Sequence, residues 1–415
     1  MPWSGLLRLA ALAALWRFLQ GSQHFDGLRL GALTLGLAAV LSFPASLLAP
    51  WSATVPARAA RLLTAALLVW IAVGPIDLVR SWQDAAHFRD FRSTVLDIGD
   101  NTHCAASALL RGDNPYRLRC QRTEIVHEPS RGVVRRADGA VTLRGVPYRY
   151  GYPYFPLMAA AFVPATAFLD GVASLRATLL AALAATLLAS AVLVRALRPP
   201  GSRTLAFTAA WAALLCNPVL GFQLFEECST DLVIAPLLLL AFAAHERRRY
   251  ALAGVLAAAS FGMKLFPGAL VLASLGVALY DDPEARRRFA LGATLTMLLV
   301  FAPALLAGAT DFASATLLFY AVAHDVERSA LAGWIPAALR PAWYALGAAL
   351  VAWSLRSARR GDASSALRAF VLADLVFLAF NKMSHLNYFE PLGPALMMAV
   401  AIAPPPRSPG ATPAP

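Results

Sequence analysis

Long apolar runs, separated by short linkers that carry arginine, constrain this chain more than any other feature of its sequence. Hydrophobic residues make up 59% of its 415 positions and charged residues 14%, whereas a soluble domain carries about 25% charged residues. Many runs approach the roughly 20 residues that a helix needs to cross a bilayer, among them LRATLLAALAATLLASAVLV and ALGATLTMLLVFAPALLAG. The sequence therefore predicts an all-α polytopic membrane protein.

The positions of the arginines predict its orientation. The formal net charge of +12 is compatible with nucleic-acid binding, but the basic residues lie in short linkers between apolar runs. Such a distribution is typical of membrane topology, in which basic linkers face the cytoplasm. The four linkers assigned to that side carry Arg195, Arg198 and Arg203; residues 247–249; residues 286–288; and Arg356, Arg359, Arg360 and Arg368.

The polar stretches between the linkers then fall together on the external or periplasmic side. They cover residues 82–153, 222–231, 261–268, 324–334 and 381–390. Residues 250–280 start and end beside cytoplasmic charge, which requires two short helices or a re-entrant hairpin with Lys264 near its tip. Irregular backbone is tolerated at membrane depth only where it is buried in protein or lines a water-filled cavity. We therefore expect a shared site in a cavity that opens outward.

The stretch DIGDNTHCAASALLRGDNPY, at 97–116, stands out in the first external loop. Its apolar spacing predicts a helix on the membrane surface, with Gly112 as the stop signal and a turn at Asn114. Asp97 and Asp100 share one face near its start, where the helix dipole favours anionic side chains. Helix capping is the alternative role for either one. His103 is a candidate ligand, proton shuttle or structural hydrogen-bonding residue, and no His/Asp spacing here is specific for a metal.

Four segments describe the predicted organisation. Residues 1–81 form N-terminal membrane helices, 82–153 the external loop, 154–405 the transmembrane bundle with short or re-entrant segments, and 406–415 a disordered Pro-rich tail. Whether the first 20 residues cross the membrane is left open. In the loop, an oxidising exterior permits a disulfide between Cys104 and Cys120, and a two-stranded excursion is expected around residues 137–140.

Several of these motifs, taken in order, resemble a known family. They are the aspartate before the surface helix, the GDNPY end of that helix, YPYFPL where the chain re-enters the membrane, CNPVLGFQLFEECSTDLVIAPLLLLAFA, and ALAGVLAAASFGMKLFPGALVLASLGVAL. Together they resemble the GT-C superfamily of membrane glycosyltransferases. The chain looks most like glycosyltransferase family 87, the α-mannosyltransferases that use polyprenol-phosphate mannose.

The resemblance implies a GT-C-like bundle of about 10–12 transmembrane helices that moves a hexose, with mannose favoured, from a polyprenyl-phosphate carrier to a glycan or lipid acceptor. Transfer would invert the sugar on the external face of the inner, plasma membrane. Asp97 corresponds to the general base, with Asp100 as the alternative. Lys264, Arg328 and His385 would hold the donor phosphate. We assign acceptor or sugar binding to His103, Tyr116, Gln223, Glu226, Glu227 and Asp231.

No cofactor and no nucleic-acid partner is expected, although a divalent cation on the acidic run 226–231 stays an alternative. A polytopic transporter or flippase for a lipid-linked or anionic substrate is the second functional reading, since intramembrane charges and broken helices also suit transport. Transporters bind substrate near the midplane between repeats. This sequence shows no internal repeat, and its polar groups collect at one face, which favours the enzyme.

Overall fold

The computed structural model is predominantly helical. It describes residues 97–118, 133–135, 141–143, 146–147, 151–198, 203, 220, 224–225, 227–317 and 335–381. The predicted N-terminal helices at 1–81 and the tail at 406–415 lie outside these residues. The prediction of an all-α membrane protein is confirmed for the body of the chain, and the external loop adds three short strands.

Nine helices are present in the described part of the chain. They are α1 Asp97–Leu110, α2 Pro156–Thr166, α3 Gly171–Leu197, α4 Ala235–Glu246, α5 Tyr250–Met263, α6 Leu265–Ala278, α7 Pro283–Ala313, α8 Arg340–Arg356 and α9 Ala363–Phe380. Single 3-10 turns lead into α4 at Asp231–Ile234 and into α8 at Ala337–Leu339, and one at Ser357–Arg360 joins α8 to the loop before α9.

The strands form a small antiparallel sheet in the order β1 Val133–Arg135, β2 Val141–Leu143 and β3 Val146–Pro147. Val133 pairs with Leu143, so β1 and β2 form a hairpin around residues 136–140. The sequence pattern predicted two strands at this place. β3 adds a third, because Val146 pairs with Leu143 on the other edge of β2.

Helix lengths divide the bundle into full spans and shorter pieces. Among the described residues, three helices are long and apolar enough to cross a membrane: Gly171–Leu197, the extended α7 helix over Pro283–Leu317, and Ala363–Phe380. At 1.5 Å per residue, α5 and α6 are each about 21 Å long, which is short of the roughly 30 Å hydrocarbon layer. Neither helix alone is therefore long enough to cross that layer.

The arginine linkers meet at one end of the bundle. The guanidinium of Arg359, which follows α8, lies 4.7 Å from the centre of the Tyr280 ring between α6 and α7. Arg286, in the first turns of α7, donates from Nη1 to the carbonyl of Tyr280 at 3.2 Å. Two linkers that the sequence assigned to the cytoplasmic side thus contact each other.

The GDNPY turn anchors the external loop to α7. Gly112 adopts a left-handed φ of +78° at the end of α1, a conformation that glycine adopts without steric cost. Asn114 closes the following turn by accepting the Tyr116 backbone N–H at 2.9 Å. The carbonyl of Ala307 accepts from both Asn114 Nδ2, at 3.3 Å, and Arg117 Nη2, at 3.1 Å. Arg117 Nε also donates to Asp311 Oδ2 at 2.7 Å.

Small residues bring the helices into close contact. A Cβ added at Gly254 in α5 would overlap the backbone of Phe289 in α7, and one at Gly292 would overlap the backbone of Ala251. Glycine at both positions lets the two backbones approach, as is common between membrane helices. Gly268 serves the α5–α6 pair in the same way, because a Cβ there would overlap the backbone of Phe261.

We predict that Gly268→Ala lowers the unfolding temperature of the protein in detergent, whereas Gly276→Ala does not. Both glycines lie in α6, but a Cβ at Gly276 would meet nothing within 4 Å. Overpacking at Gly268 should cost about 1–3 kcal/mol, while alanine at Gly276 should gain up to about 1 kcal/mol through helix propensity. Equal unfolding temperatures for the two variants would contradict the close α5–α6 contact.

Candidate functional site

The break between α5 and α6 places a charged residue inside the helix bundle. Lys264 separates the two helices with extended backbone angles, φ −150° and ψ 137°, and Phe266 is also non-helical. The sequence explains the break, since Pro267 has no N–H to donate and disfavours helical geometry in the residue before it. The side chain of Lys264 thereby leaves the helix surface and points into the bundle, where it is 9% exposed.

A buried ion pair fixes this lysine. Lys264 Nζ donates to Asp231 Oδ2 at 2.6 Å, and the two side chains are 10% and 0% exposed. Asp231 opens the 3-10 turn that leads into α4, so the pair joins α4 to the α5–α6 break. The Tyr154 ring lies 6.0 Å from the ammonium. Two of the predicted site residues are therefore direct partners, a pairing that their separation of 33 residues did not suggest.

A third charged residue, Asp374, faces the pair from α9. It is 2% exposed and within electrostatic reach of Lys264. The rings of Phe266 and Phe377 stack at 3.9 Å with 18° between their planes, which holds the break against α9 about one turn from Asp374. Sequence reasoning missed this residue. The signal was available, because an aspartate inside the apolar run VLADLVFLAF is costly and is a functional candidate by default.

Tyr152 links the ion pair to the surface helix. Its hydroxyl lies 3.3 Å from Thr102 Oγ1, and it interacts electrostatically with Asp231. Thr102 Oγ1 donates its single hydrogen to the carbonyl of Ile98, so Tyr152 is the donor in their contact. Burial raises the pKa of Tyr152 above its ordinary value, and the negative charge of Asp231 adds to the rise. Tyr152 therefore stays a neutral donor.

The surface helix α1 carries the predicted acids at its start. Asp97 is its first residue and Asp100, in the same turn, is half-buried. His103 Nδ1 lies 2.9 Å from Ser174 Oγ in α3. Ser174 gives its hydrogen to the carbonyl of Gly171 at 2.8 Å, so Nδ1 of His103 must carry the hydrogen in this contact. The helix is thus held by polar contacts to both α3 and the segment before α2.

The face of α1 that packs against the bundle is partly polar. Ala105 and Ala106 are buried, whereas Leu109 and Leu110 are 38% and 45% exposed. The polar Asn101 and Thr102 are buried instead, at 2% and 0%. A pattern built on apolar residues alone could not place this face, because hydrogen bonding to Tyr152 compensates the burial of Thr102.

The remaining predicted residues divide into two groups. Tyr116 is 2% exposed and donates from its hydroxyl to the carbonyl of Tyr154 at 3.2 Å. Glu227 is half-buried and interacts electrostatically with Cys228. Gln223, Glu226, Arg328 and His385 lie outside the described residues. Within the described ranges, no three His, Cys, Asp or Glu side chains are placed to hold a metal ion.

The cysteines differ in state. Cys104, in α1, is disulfide-bonded, and its partner lies outside the described residues, so the pairing with Cys120 stays a prediction. Cys228 is a free, fully buried thiol. Burial raises the pKa of Cys228 to about 11, although Arg176 opposes the rise. Its thiol is therefore protonated at neutral pH and unsuited to nucleophilic chemistry.

The fold is similar to crystal structures of ArnT from Cupriavidus metallidurans. The structure of ArnT bound to undecaprenyl phosphate aligns at a TM-score of 0.48 and 17% sequence identity, and the apo structure at 0.47 and 17%. Each alignment covers 82% of this chain, which spans about 60% of the length of ArnT. No protein-family model matches the sequence, and no curated protein matches it. Because the sequence identity and TM-scores are low, the function of this chain has to be argued from its own residues.

We predict that Lys264→Met lowers the stability of the protein far more than Arg288→Met. Removing the ammonium leaves Asp231 buried without its counter-charge, which should cost about 3–5 kcal/mol. Arg288 pairs with Glu284 at 2.8 Å, but both side chains are more than half exposed, and such pairs contribute about 0–1 kcal/mol.

Thermal unfolding in detergent, followed by circular dichroism, measures the difference. Adding Asp231→Leu to Lys264→Met should recover part of the loss, because the buried charge is then gone as well. Similar unfolding temperatures for Lys264→Met and Arg288→Met would contradict the buried ion pair.

Proposed function

We propose that the protein is an integral membrane glycosyltransferase that moves a hexose from a polyprenyl-phosphate carrier to an acceptor hydroxyl on the outer face. One observation carries the proposal. Tyr152 contacts Thr102, one turn after the acidic start of α1, and interacts electrostatically with Asp231 of the buried Asp231–Lys264 pair. The acidic start of α1 and the buried ion pair therefore lie near the same tyrosine.

The two ends of this network suit the two halves of glycosyl transfer. An acceptor hydroxyl needs a base that removes its proton as the new bond forms. A phosphate leaving group needs cations to stabilise its developing charge. In this proposal Asp97 is the base and Asp100 its alternative, while Lys264 holds the donor phosphate together with Arg328 and His385. Displacement from the face opposite the phosphate inverts the sugar.

The helix break also suits a lipid-linked donor. A polyprenyl chain remains in the hydrocarbon layer, so its phosphate must meet a cation near that layer. α5 ends just before Lys264 and α6 begins just after it, so the cation lies at the junction of the two short helices. Mannose is the favoured hexose, because the motifs resemble those of polyprenol-phosphate-mannose enzymes, and a glycan or glycolipid is the proposed acceptor.

Sugar binding is proposed for the polar residues around the pair. Asp231 and Glu227 precede α4, and His103 faces α3 from the surface helix. Carboxylates accept hydrogen bonds from sugar hydroxyls, and a histidine with its Nδ1 hydrogen committed keeps a fixed ring orientation. Gln223 and Glu226 are proposed to join them from the preceding segment. Tyr116 supports them from below, through its bond to the Tyr154 carbonyl.

Transport of a lipid-linked or anionic substrate is the second candidate function. The observation that favours it is the buried group of two aspartates and one lysine at a broken helix, since intramembrane ionisable groups also mark substrate and proton pathways. The two functions differ in their product. Only a transferase forms a new glycoside.

We predict that Asp97→Asn reduces sugar transfer by about 10²–10⁴-fold, the usual contribution of a general base. Membranes containing the variant are supplied with undecaprenyl-phosphate mannose and a membrane glycolipid extract, and products are identified by mass spectrometry. Asp100→Asn is measured in parallel, because the larger loss identifies the base. Asp113→Asn is the matched control, since Asp113 lies in the same loop, is exposed and pairs with the exposed Arg111 at 3.0 Å.

Full activity in both the Asp97 and the Asp100 variants would overturn the assignment of the base. Movement of the lipid-linked sugar across vesicles containing the wild-type protein, with no glycosylated product, would overturn the transferase and favour the transporter. A glycosylated product that forms in membranes containing the wild-type protein, and does not form in membranes that lack it, supports transfer.

A further inference from the structure

We propose that Arg286 and Arg359 bind the phosphate of an anionic phospholipid beside Tyr280, at the end of the bundle where the arginine linkers meet. This binding site is independent of the proposed function. α5 and α6 each connect this end of the bundle to the junction at Lys264, so the site lies about 20 Å along either helix from the buried ion pair.

Two guanidinium groups from separate linkers lie beside the same aromatic ring. Arg359 lies 4.7 Å from the centre of the Tyr280 ring, and Arg286 lies 6.0 Å from it. Arg286 also donates from Nη1 to the Tyr280 carbonyl at 3.2 Å, which uses one of its five N–H donors. All three side chains are exposed. A ligand in the headgroup layer can therefore reach both guanidinium groups.

The backbone fixes the two linkers against each other. The 3-10 turn Ser357–Arg360 packs against both α6 and α9, and the next residue, Gly361, has a left-handed φ of +80°. A Cβ at Gly361 would lie 3.6 Å from the carbonyl oxygen of Ala278, the last residue of α6. At the start of α7, the Asp282 side chain accepts a backbone N–H at 2.9 Å. The tyrosine ring thus lies between two ordered turns.

Arginines outnumber acidic residues at this end of the bundle. Residues 246–249, 280–288 and 356–362 together carry nine arginines and five acidic residues. The first of these segments leads into α5, whose early turns contact those of α7 through Gly254 and Gly292. All three segments therefore lie at the same end and contribute to one positive surface, which attracts anionic partners.

Three of the five acidic side chains already have partners. Glu284 pairs with the arginines three and four residues further on, at 4.0 and 2.8 Å. Asp282 and Asp362 accept backbone N–H groups at the starts of α7 and α9, at 2.9 and 2.8 Å. Glu246 and Asp281 are exposed to solvent. The surrounding carboxylates thus serve the helix ends and the first turns of α7.

The charges of Arg286 and Arg359 are open to an anionic ligand. In the part of the chain that the structure describes, neither guanidinium forms an ion pair with a carboxylate. Two like charges beside one ring repel each other, and a bound phosphate relieves that repulsion. The planar guanidinium also matches phosphate oxygens with two parallel hydrogen bonds. The cluster therefore has the charge and the donor geometry of a phosphate site.

The surroundings favour a phosphate that belongs to a lipid. α7 follows the cluster directly, and its most apolar window is 17% buried, against 44% for α3 and 67% for α9. Leu291, Leu295 and Leu298 are each more than half exposed on it. Acyl chains can lie against this helix while the headgroup reaches Arg286. Basic sites between membrane helices on the cytoplasmic side bind anionic headgroups, and the arginine linkers predict that this end faces the cytoplasm.

The test measures thermal unfolding of the full-length protein in a neutral detergent after lipid removal. Dioleoyl phosphatidylglycerol should raise the unfolding temperature in a saturable way, whereas dioleoyl phosphatidylcholine, which has the same acyl chains and no net charge, should not. Arg286→Gln and Arg359→Gln should each raise the half-saturating concentration of phosphatidylglycerol about tenfold, and the double variant about 100-fold, as expected for lost charge-assisted hydrogen bonds.

Arg287→Gln combined with Arg288→Gln is the matched control, because it removes two charges from the same end of α7. These side chains are 84% and 63% exposed and pair with Glu284. The control should change the half-saturating concentration by a few-fold at most. Equal losses in the two double variants would overturn the site, because binding would then follow net charge alone. Wild-type binding by the Arg286/Arg359 double variant would overturn it as well.

A lysine variant keeps the result interpretable if the glutamine variants fold poorly. Arg286→Lys combined with Arg359→Lys retains both charges and loses the bidentate geometry. It should bind phosphatidylglycerol more weakly than the wild type and more tightly than the glutamine double variant. Lysine variants with wild-type affinity would overturn the role of the guanidinium groups.

Two further ligands distinguish the possible sources of the anion. Inorganic phosphate at the same concentrations should leave the unfolding temperature unchanged, because it has no acyl chains to bind α7. Stabilisation by inorganic phosphate as strong as that by phosphatidylglycerol would overturn the lipid assignment. A glutamate-rich peptide represents an acidic protein partner, and stabilisation by the peptide without stabilisation by phosphatidylglycerol would also overturn it.

Discussion

The cost of burying charge governs the centre of this structure. A buried ammonium is tolerated only with a close counter-charge, and Lys264 obtains one from Asp231 across 33 residues of sequence. The pair lies where α5 ends at Met263 and α6 begins at Leu265, and it holds the turn before α4 against that junction. The Tyr154 ring lies 6.0 Å from the ammonium, and Tyr152 contacts the surface helix.

The polar network extends outward from the ion pair in a definite order of donors. Tyr152, held neutral by burial, gives its hydrogen to Thr102, whose own hydrogen goes to the backbone of α1. His103 gives its Nδ1 hydrogen to Ser174 for the same kind of reason. The direction of each of these hydrogen bonds follows because a hydroxyl group has a single hydrogen to donate. The surface helix is thus oriented by its polar side chains, with its two leucines at 109 and 110 left largely exposed.

The sequence predicted those structural features that depend on the chemistry of neighbouring residues. Apolar run lengths predicted a helical membrane protein, and proline and glycine around Lys264 marked an interruption that the structure places at that residue. Pairings between distant segments were out of reach, because the spacing of Asp231 and Lys264 along the chain carries no information about their contact. Asp374 was overlooked since its neighbours are all apolar. The burial of Thr102 in α1 was also out of reach, because a hydrogen bond to a distant residue compensates it.

The anchoring of the GDNPY turn has a mechanical consequence. The turn and the arginine after it donate hydrogen bonds to Ala307 and Asp311 of α7. The helix loses regular geometry at Gly308, between those two residues. The irregular point of α7 is thus also the point at which the loop carrying the GDNPY turn is attached. A displacement of the loop therefore acts on α7 where its helical geometry is already interrupted.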